Sequence, residues 1–129
     1  MSAFALSRGR LRADDGRDLA GVELATSPWV RARGLLGRAG LAPGEALWLA
    51  PCRSIHTVGM QFAIDVVFLD RTSRVVRVIA DLPPYRLTWG GWRAHGALEF
   101  AAGEAARLGL TAGQRLQLLT EPAAVVTGL

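Results

Sequence analysis

The stretch from Pro51 to Asp70, PCRSIHTVGMQFAIDVVFLD, ends in a run too apolar for an exposed strand, yet it carries a carboxylate in its middle. Ala63 to Leu69 has strand length and a β-branched and aromatic content that suits a pleated surface. In an extended chain Asp65 shares a face with Ala63, Val67 and Leu69, while Ile64, Val66 and Phe68 share the other. The carboxylate is therefore flanked by apolar side chains whichever face turns inward. A buried carboxylate must find N–H or charged partners or take up a proton. Arg31 or Arg38 on a preceding helix are candidates for that role.

The surrounding pattern is mostly β. Gly9 to Ala13 and Leu19 to Thr26 read as strands flanking Asp15-Gly16, a strong hairpin signal. Ser27 and Pro28 then fit an N-cap and the first position of a helix over Trp29 to Arg38, where Arg31 and Arg38 share a face. Further strands are expected at Ala46 to Ala50, Ala63 to Leu69, Arg74 to Ile79, Ala97 to Ala101 and Gln114 to Leu119. Asp70 to Ser73 is a turn of hairpin length, and Gly103 to Gly109 leaves room for a helical turn or two. This spacing predicts a mainly β fold, bordering on α+β: an antiparallel sandwich or flattened barrel, with one short helix after the first hairpin and a short helical turn before the last strand. Residues 1–120 form one domain on this reading, and Glu121 to Leu129 a frayed tail.

The 129 residues suit one core, and no apolar run is long enough to cross a bilayer. All fifteen basic residues are Arg, but the net charge is only +4, and Arg8, Arg10, Arg12 and Arg17 are offset by Asp14, Asp15 and Asp18. That balance speaks against a nucleic-acid footprint and leaves a small molecule or a protein as the expected partner. Cys52 is the only cysteine, which excludes an intrachain disulfide and any multi-thiolate metal site. With no signal-peptide pattern in Met1 to Arg10, a cytoplasmic location is expected.

Three constellations carry possible chemistry. Asp65 and Glu99, each embedded in a strand, could act with His56 as acid and base if the fold brought them to one cleft; as structural groups they would belong to buried polar networks. Cys52, His56 and Met60 recur at intervals of four and offer the soft donors copper prefers, with His95 as an addition. Extended geometry spreads them too far apart to share an ion, so chelation would require an irregular loop, and no cofactor is expected. The plainer reading makes Cys52 a small buried hydrophobe, Met60 core filler and His56 a loop histidine aimed into a pocket. Leu82 to Trp92, LPPYRLTWGGW, presents Tyr85, Trp89 and Trp92 beside Gly90-Gly91, either to grip a partner or to cap the core.

The chain resembles the domain of unknown function 192 family. The resemblance rests on Arg31, Gly34, Leu35 and Arg38 in VRARGLLGR, on Ile55-His56-Thr57 with Met60, on Ile64-Asp65 with Phe68, Leu69 and Asp70, and on Leu98-Glu99 with Ala102-Gly103. It runs from about Leu19 to Leu119, with Ala63 standing where proline is common. It implies a compact, mainly β fold with a short helix and no established activity, substrate or cofactor. The motifs converge on Arg31, Arg38, His56, Asp65 and Glu99. Together the two lines of reading lead to the expectation of a binding domain whose pocket draws on these residues, Thr57, Met60 and the two loop tryptophans.

Overall fold

In a computed structural model that describes residues 7–25 and 40–120, the chain forms nine strands and one short helix among those residues. These are β1 (Ser7–Ala13), β2 (Asp18–Ala25), β3 (Glu45–Leu49), β4 (Ser54–His56), β5 (Ile64–Leu69), β6 (Val75–Leu82), β7 (Leu87–Trp89), β8 (Gly96–Ala101), α1 (Glu104–Arg107) and β9 (Leu116–Thr120). The helix expected over Trp29 to Arg38, with Arg31 and Arg38, lies outside the described residues, as does the expected tail. No helix among the described residues is long and apolar enough to cross a membrane.

Seven strands build one sheet in the order β6-β5-β8-β3-β2-β1-β9, while β4 and β7 pair as a separate ribbon. The Asp15-Gly16 hairpin joins β1 to β2: the Gly16 N–H donates to the Ala13 carbonyl, and Gly16 takes a φ of 91°, which glycine adopts without strain. Asp70 closes the β5–β6 hairpin, its Oδ1 accepting from the Thr72 amide, the Thr72 hydroxyl and the Arg74 amide.

One pairing departs from the all-antiparallel expectation, because β2 and β3 run parallel. A parallel pair needs a crossover, and residues 26–44 are the span available for it. The sheet also curls until its two edges meet. Arg74 and Arg115 form an isolated bridge between them, flanked by hydrogen bonds from the Val75 amide to the Gln114 carbonyl and from the Leu116 amide to the Ser73 carbonyl. The result is a mainly β, curled half-barrel, close to the flattened barrel that the spacing predicts.

The curl creates two cores. Leu11, Val22, Leu24, Val67, Leu69, Leu98 and Phe100 pack on its inner face. Leu47, Ile64, Val66, Phe68 and Ala97 pack on the outer face, covered by Ile55 from the ribbon and by Met60. Strand β5 lies between the two, which explains why all six of its residues are buried and why its sequence does not alternate with polar residues.

Candidate functional site

Asp65 has no exposed surface, and its partners among the described residues are three backbone amides. Oδ1 accepts from the Asp81 N–H at 2.8 Å; Oδ2 accepts from Gly103 and Ala105 at 3.0 and 2.8 Å. The first donor exists because β6 carries an extra residue opposite Asp65, where Asp81 turns to a φ of 54°. The other two belong to the first turn of α1, whose orphan N–H groups need acceptors. Among the described residues the carboxylate is thus satisfied by main chain, while Arg31 and Arg38, the guanidinium candidates suggested by the sequence, lie outside those residues.

The β5–β8 register pairs Asp65 with Phe100 and Val66 with Glu99. Residues directly opposite on neighbouring strands share a face, so Asp65 faces the inner core and Glu99 the outer one. The paired-carboxylate arrangement is therefore corrected: the two acids lie on opposite sides of the sheet. Glu99 is buried on the side that the ribbon covers.

His56 does not join either of them. It sits on strand β4, not in a loop, directly across from Leu87 on β7, and is exposed. Its neighbours alternate as a ribbon dictates: Ile55 turns in to the outer core, while Ser54 and His56 turn out with Leu87 and Trp89. Met60 is buried in that outer core, and the Cys52 thiol donates to the Ser54 carbonyl. The copper-type donors thus fall on different sides of the ribbon. No group of three or more His, Cys, Asp or Glu side chains among the described residues is placed to hold a metal ion.

Thr57 is fully buried and organises the adjoining loop. Its hydroxyl donates to the Pro83 carbonyl at 2.7 Å and accepts from the Arg86 N–H at 2.8 Å; its own N–H donates to the Arg86 carbonyl, and its carbonyl accepts from Tyr85 and Met60. This clamp fixes the Pro83 to Arg86 turn and leaves Tyr85 projecting at a φ of 62°.

The outward side of the ribbon is unusually apolar. Among the described residues the exposed large hydrophobic side chains are Val58, Tyr85, Leu87, Trp89, Trp92 and Leu119, and all but the last belong to the ribbon and its flanking loops. Leu87 is 77% exposed and Trp92 78%. Trp92 meets Trp89 edge to face, with ring centroids 5.1 Å apart. The main chain beneath is braced: Arg77 donates to the Trp89 carbonyl, the Gly90 amide to the Arg53 carbonyl and Arg53 Nε to the Ala94 carbonyl. Gly90 lies so close to the Phe68 ring that an added Cβ would come within 2.4 Å of it.

Beside Trp92 opens a groove of about 490 Å³ between the β5–β6 hairpin, the Gly90 to Arg93 loop and the Ala112-Gly113 turn. Arg74 and Arg93 reach its wall together with Asp70, and Arg74 is steadied by donating to the Gly113 carbonyl at 2.7 Å. Burial raises the Asp70 carboxyl's pKa, but hydrogen bonds from Thr72 and the Arg74 amide outweigh this and hold it below its ordinary value. Of the groove residues only Trp92 was a binding candidate in the sequence; Arg74, Arg93 and Gly113 come from separate segments with no shared motif.

The model of the family DUF192, described as Uncharacterized ACR, matches residues 10–118. The chain belongs to the DUF192 family. Two solved structures share its fold. One is a protein of unknown function from Novosphingobium aromaticivorans, with TM-score 0.73 and 23% identity over 87% of this chain and 84% of that one. The other, from Sinorhizobium meliloti and described as a candidate transcription regulator, has TM-score 0.75 and 24% identity over 92% of this chain and 97% of that one. At such identities the likeness is one of fold. No curated protein matches the chain.

The family motifs take different parts in this DUF192 fold. Asp65 ties β5 to β6 and α1, Thr57 clamps a loop, and Met60 fills the outer core, whereas His56 alone among the described motif residues His56, Thr57, Met60, Asp65 and Glu99 reaches solvent. Away from this face, the basic residues of β1 and its hairpin are neutralised. Arg8 pairs with Glu23 and Glu45, Arg10 and Arg12 with Asp18, and Arg17 with Asp15.

Proposed function

We propose that this DUF192 domain is a small-molecule-binding module, not an enzyme, and that its contact surface is the outward face of the β4–β7 ribbon with the adjoining groove. The observation that carries the reading is the position of Trp92, which is strongly exposed, braced edge-on by Trp89 and part of the groove wall. Exposing two indoles is costly unless a partner covers them, and clustered apolar surface of this kind marks binding sites. An open groove of several hundred Å³ with a few polar groups at its wall offers room for a small ligand beside the indoles. His56 and Leu87 extend the same face, and the Thr57 clamp lowers the ordering cost of binding by fixing the loop in advance. Catalysis by His56, Asp65 and Glu99 lacks the common point of approach it would need. The lone Cys52 suits a cytoplasmic module.

The test is a set of ¹H–¹⁵N spectra recorded with AMP, benzoate, glucose and cellobiose. Binding at this face moves the indole N–H signals of Trp89 and Trp92 and leaves that of Trp48 in place. A set in which no compound moves either signal contradicts the reading.

A further inference from the structure

We propose that the groove beside Trp92 is a site for a small organic anion that combines a flat ring with a phosphate or carboxylate group. The inference rests on the binding-module reading above and adds the class of ligand.

Two kinds of group converge there. Trp92 offers a largely exposed ring whose tilt is set by Trp89, a platform for a second flat ring. Arg74 and Arg93 offer guanidiniums, both exposed, and neither forms an ion pair with a carboxylate among the described residues. Arg93 thereby differs from the guanidiniums of β1 and its hairpin, which face carboxylates of their own chain, while Arg74 lies near enough to Asp70 to help hold its carboxyl below the ordinary value. Asp70 is the acidic lining residue, and its Oδ1 is occupied by donors from Thr72 and Arg74. Two guanidiniums against this one ionised carboxylate leave the lining net positive, which favours an anion.

Shape supports the same ligand. Gly91 and Gly113 line the groove without side chains, and a Cβ at either would meet nothing within 4 Å, so a ligand can approach the main chain closely beside the indole. Arg74 is held in place by the Gly113 carbonyl, and Arg93 lines the groove from the other loop. The planar fork of a guanidinium matches both phosphate and carboxylate oxygens, so charge alone does not choose between them. The ring requirement comes from Trp92 and the anion requirement from the arginines.

The experiment titrates AMP and benzoate into ¹⁵N-labelled protein, with adenosine and inorganic phosphate as controls, and follows the Trp92 indole and the Gly91 and Gly113 amides. The expected result is a saturable shift of these signals with AMP, benzoate or both, the stronger one naming the anion. Adenosine and inorganic phosphate each bind at least about tenfold more weakly. Arg93→Gln weakens the binding by about tenfold while keeping the parent melting temperature. The proposal is overturned if neither anion shifts the groove signals at millimolar concentration. It is overturned equally if adenosine matches AMP, if phosphate alone matches AMP, or if Arg93→Gln binds like the parent. If glucose or cellobiose moves the Trp89 and Trp92 indoles while the anions do not, the module reading survives and this inference fails.

Discussion

Asp65 and Glu99 occupy neighbouring strands one register position apart, yet their side chains leave the sheet in opposite directions. This relation turns what reads as an acid–base pair into two separate structural questions, and it makes Asp65 a junction between β5, β6 and α1.

Replacing Asp65 tests that role. Asp65→Ala leaves three N–H groups an acceptor short, that of Ala105 buried and those of Asp81 and Gly103 part-buried, and should cost about 3 kcal/mol. Asp65→Asn should also be strongly destabilising, because both carboxylate oxygens accept and an amide turns an NH₂ toward a donor. Urea denaturation monitored by circular dichroism measures both; a loss within about 0.5 kcal/mol for Asp65→Ala contradicts the junction.

Thr57→Val keeps the shape of the side chain and removes its hydroxyl. The Arg86 amide and the Pro83 carbonyl then lose a buried partner, at a cost of about 1–3 kcal/mol. Amide exchange at Arg86 should quicken, while Thr57→Ser remains close to the parent. Unchanged exchange in Thr57→Val would mean that the loop does not depend on the clamp.

Gly90→Ala forces a methyl group against the Phe68 ring and should cost about 1–3 kcal/mol. Combining it with Phe68→Leu should cost less than the sum of the two single changes, because the smaller side chain makes room. Additive losses in a double-mutant cycle would show that the close approach is not what constrains Gly90.

Acid should unfold the protein partly through Glu104. Hydrogen bonds from Arg107, with a smaller one from the Gly44 amide, hold its carboxyl below the ordinary value despite desolvation. The folded state therefore releases this proton more readily than the unfolded chain. The stabilisation is complete above the unfolded value of about 4.3 and is lost as pH falls through the lower folded value. Asp70 acts in the same sense. The urea midpoint should hold steady from pH 7 to about 5 and fall below about 4, less steeply in Glu104→Gln. An acid limb of equal slope in the variant contradicts this assignment.

Much of the fold was legible in the sequence because it rests on period and punctuation. All seven strands of the main sheet fall within a few residues of the runs that alternation and turn residues mark out, and the Asp15-Gly16 and Asp70 to Ser73 hairpins form where expected. The ribbon was missed because β4 and β7 are three residues each, too short for a period, and because Leu87 and Trp89 point outward where a sheet would bury them. The parallel β2–β3 pair was missed because pairing direction is set by the path of the chain between the strands. Asp65 was rightly singled out as a group in need of partners, and its donors among the described residues are main-chain amides created by a bulge and a helix start, which no side chain announces. The opposite facing of Asp65 and Glu99 depends on register, which a single strand's sequence does not contain. The groove was illegible for a related reason, since Arg74, Arg93 and Gly113 meet only through the curl of the sheet.

The central claim is that the outward face of the β4–β7 ribbon is kept for contact and not for the fold. The melting temperature of the double variant Leu87→Ser, Trp92→Ala, read beside that of the parent, tests it most directly. The account predicts an unchanged or raised value, since both side chains are about three-quarters exposed and their removal uncovers little core. A fall of about 5 °C or more would contradict it by showing that these side chains cover the core instead of awaiting a ligand.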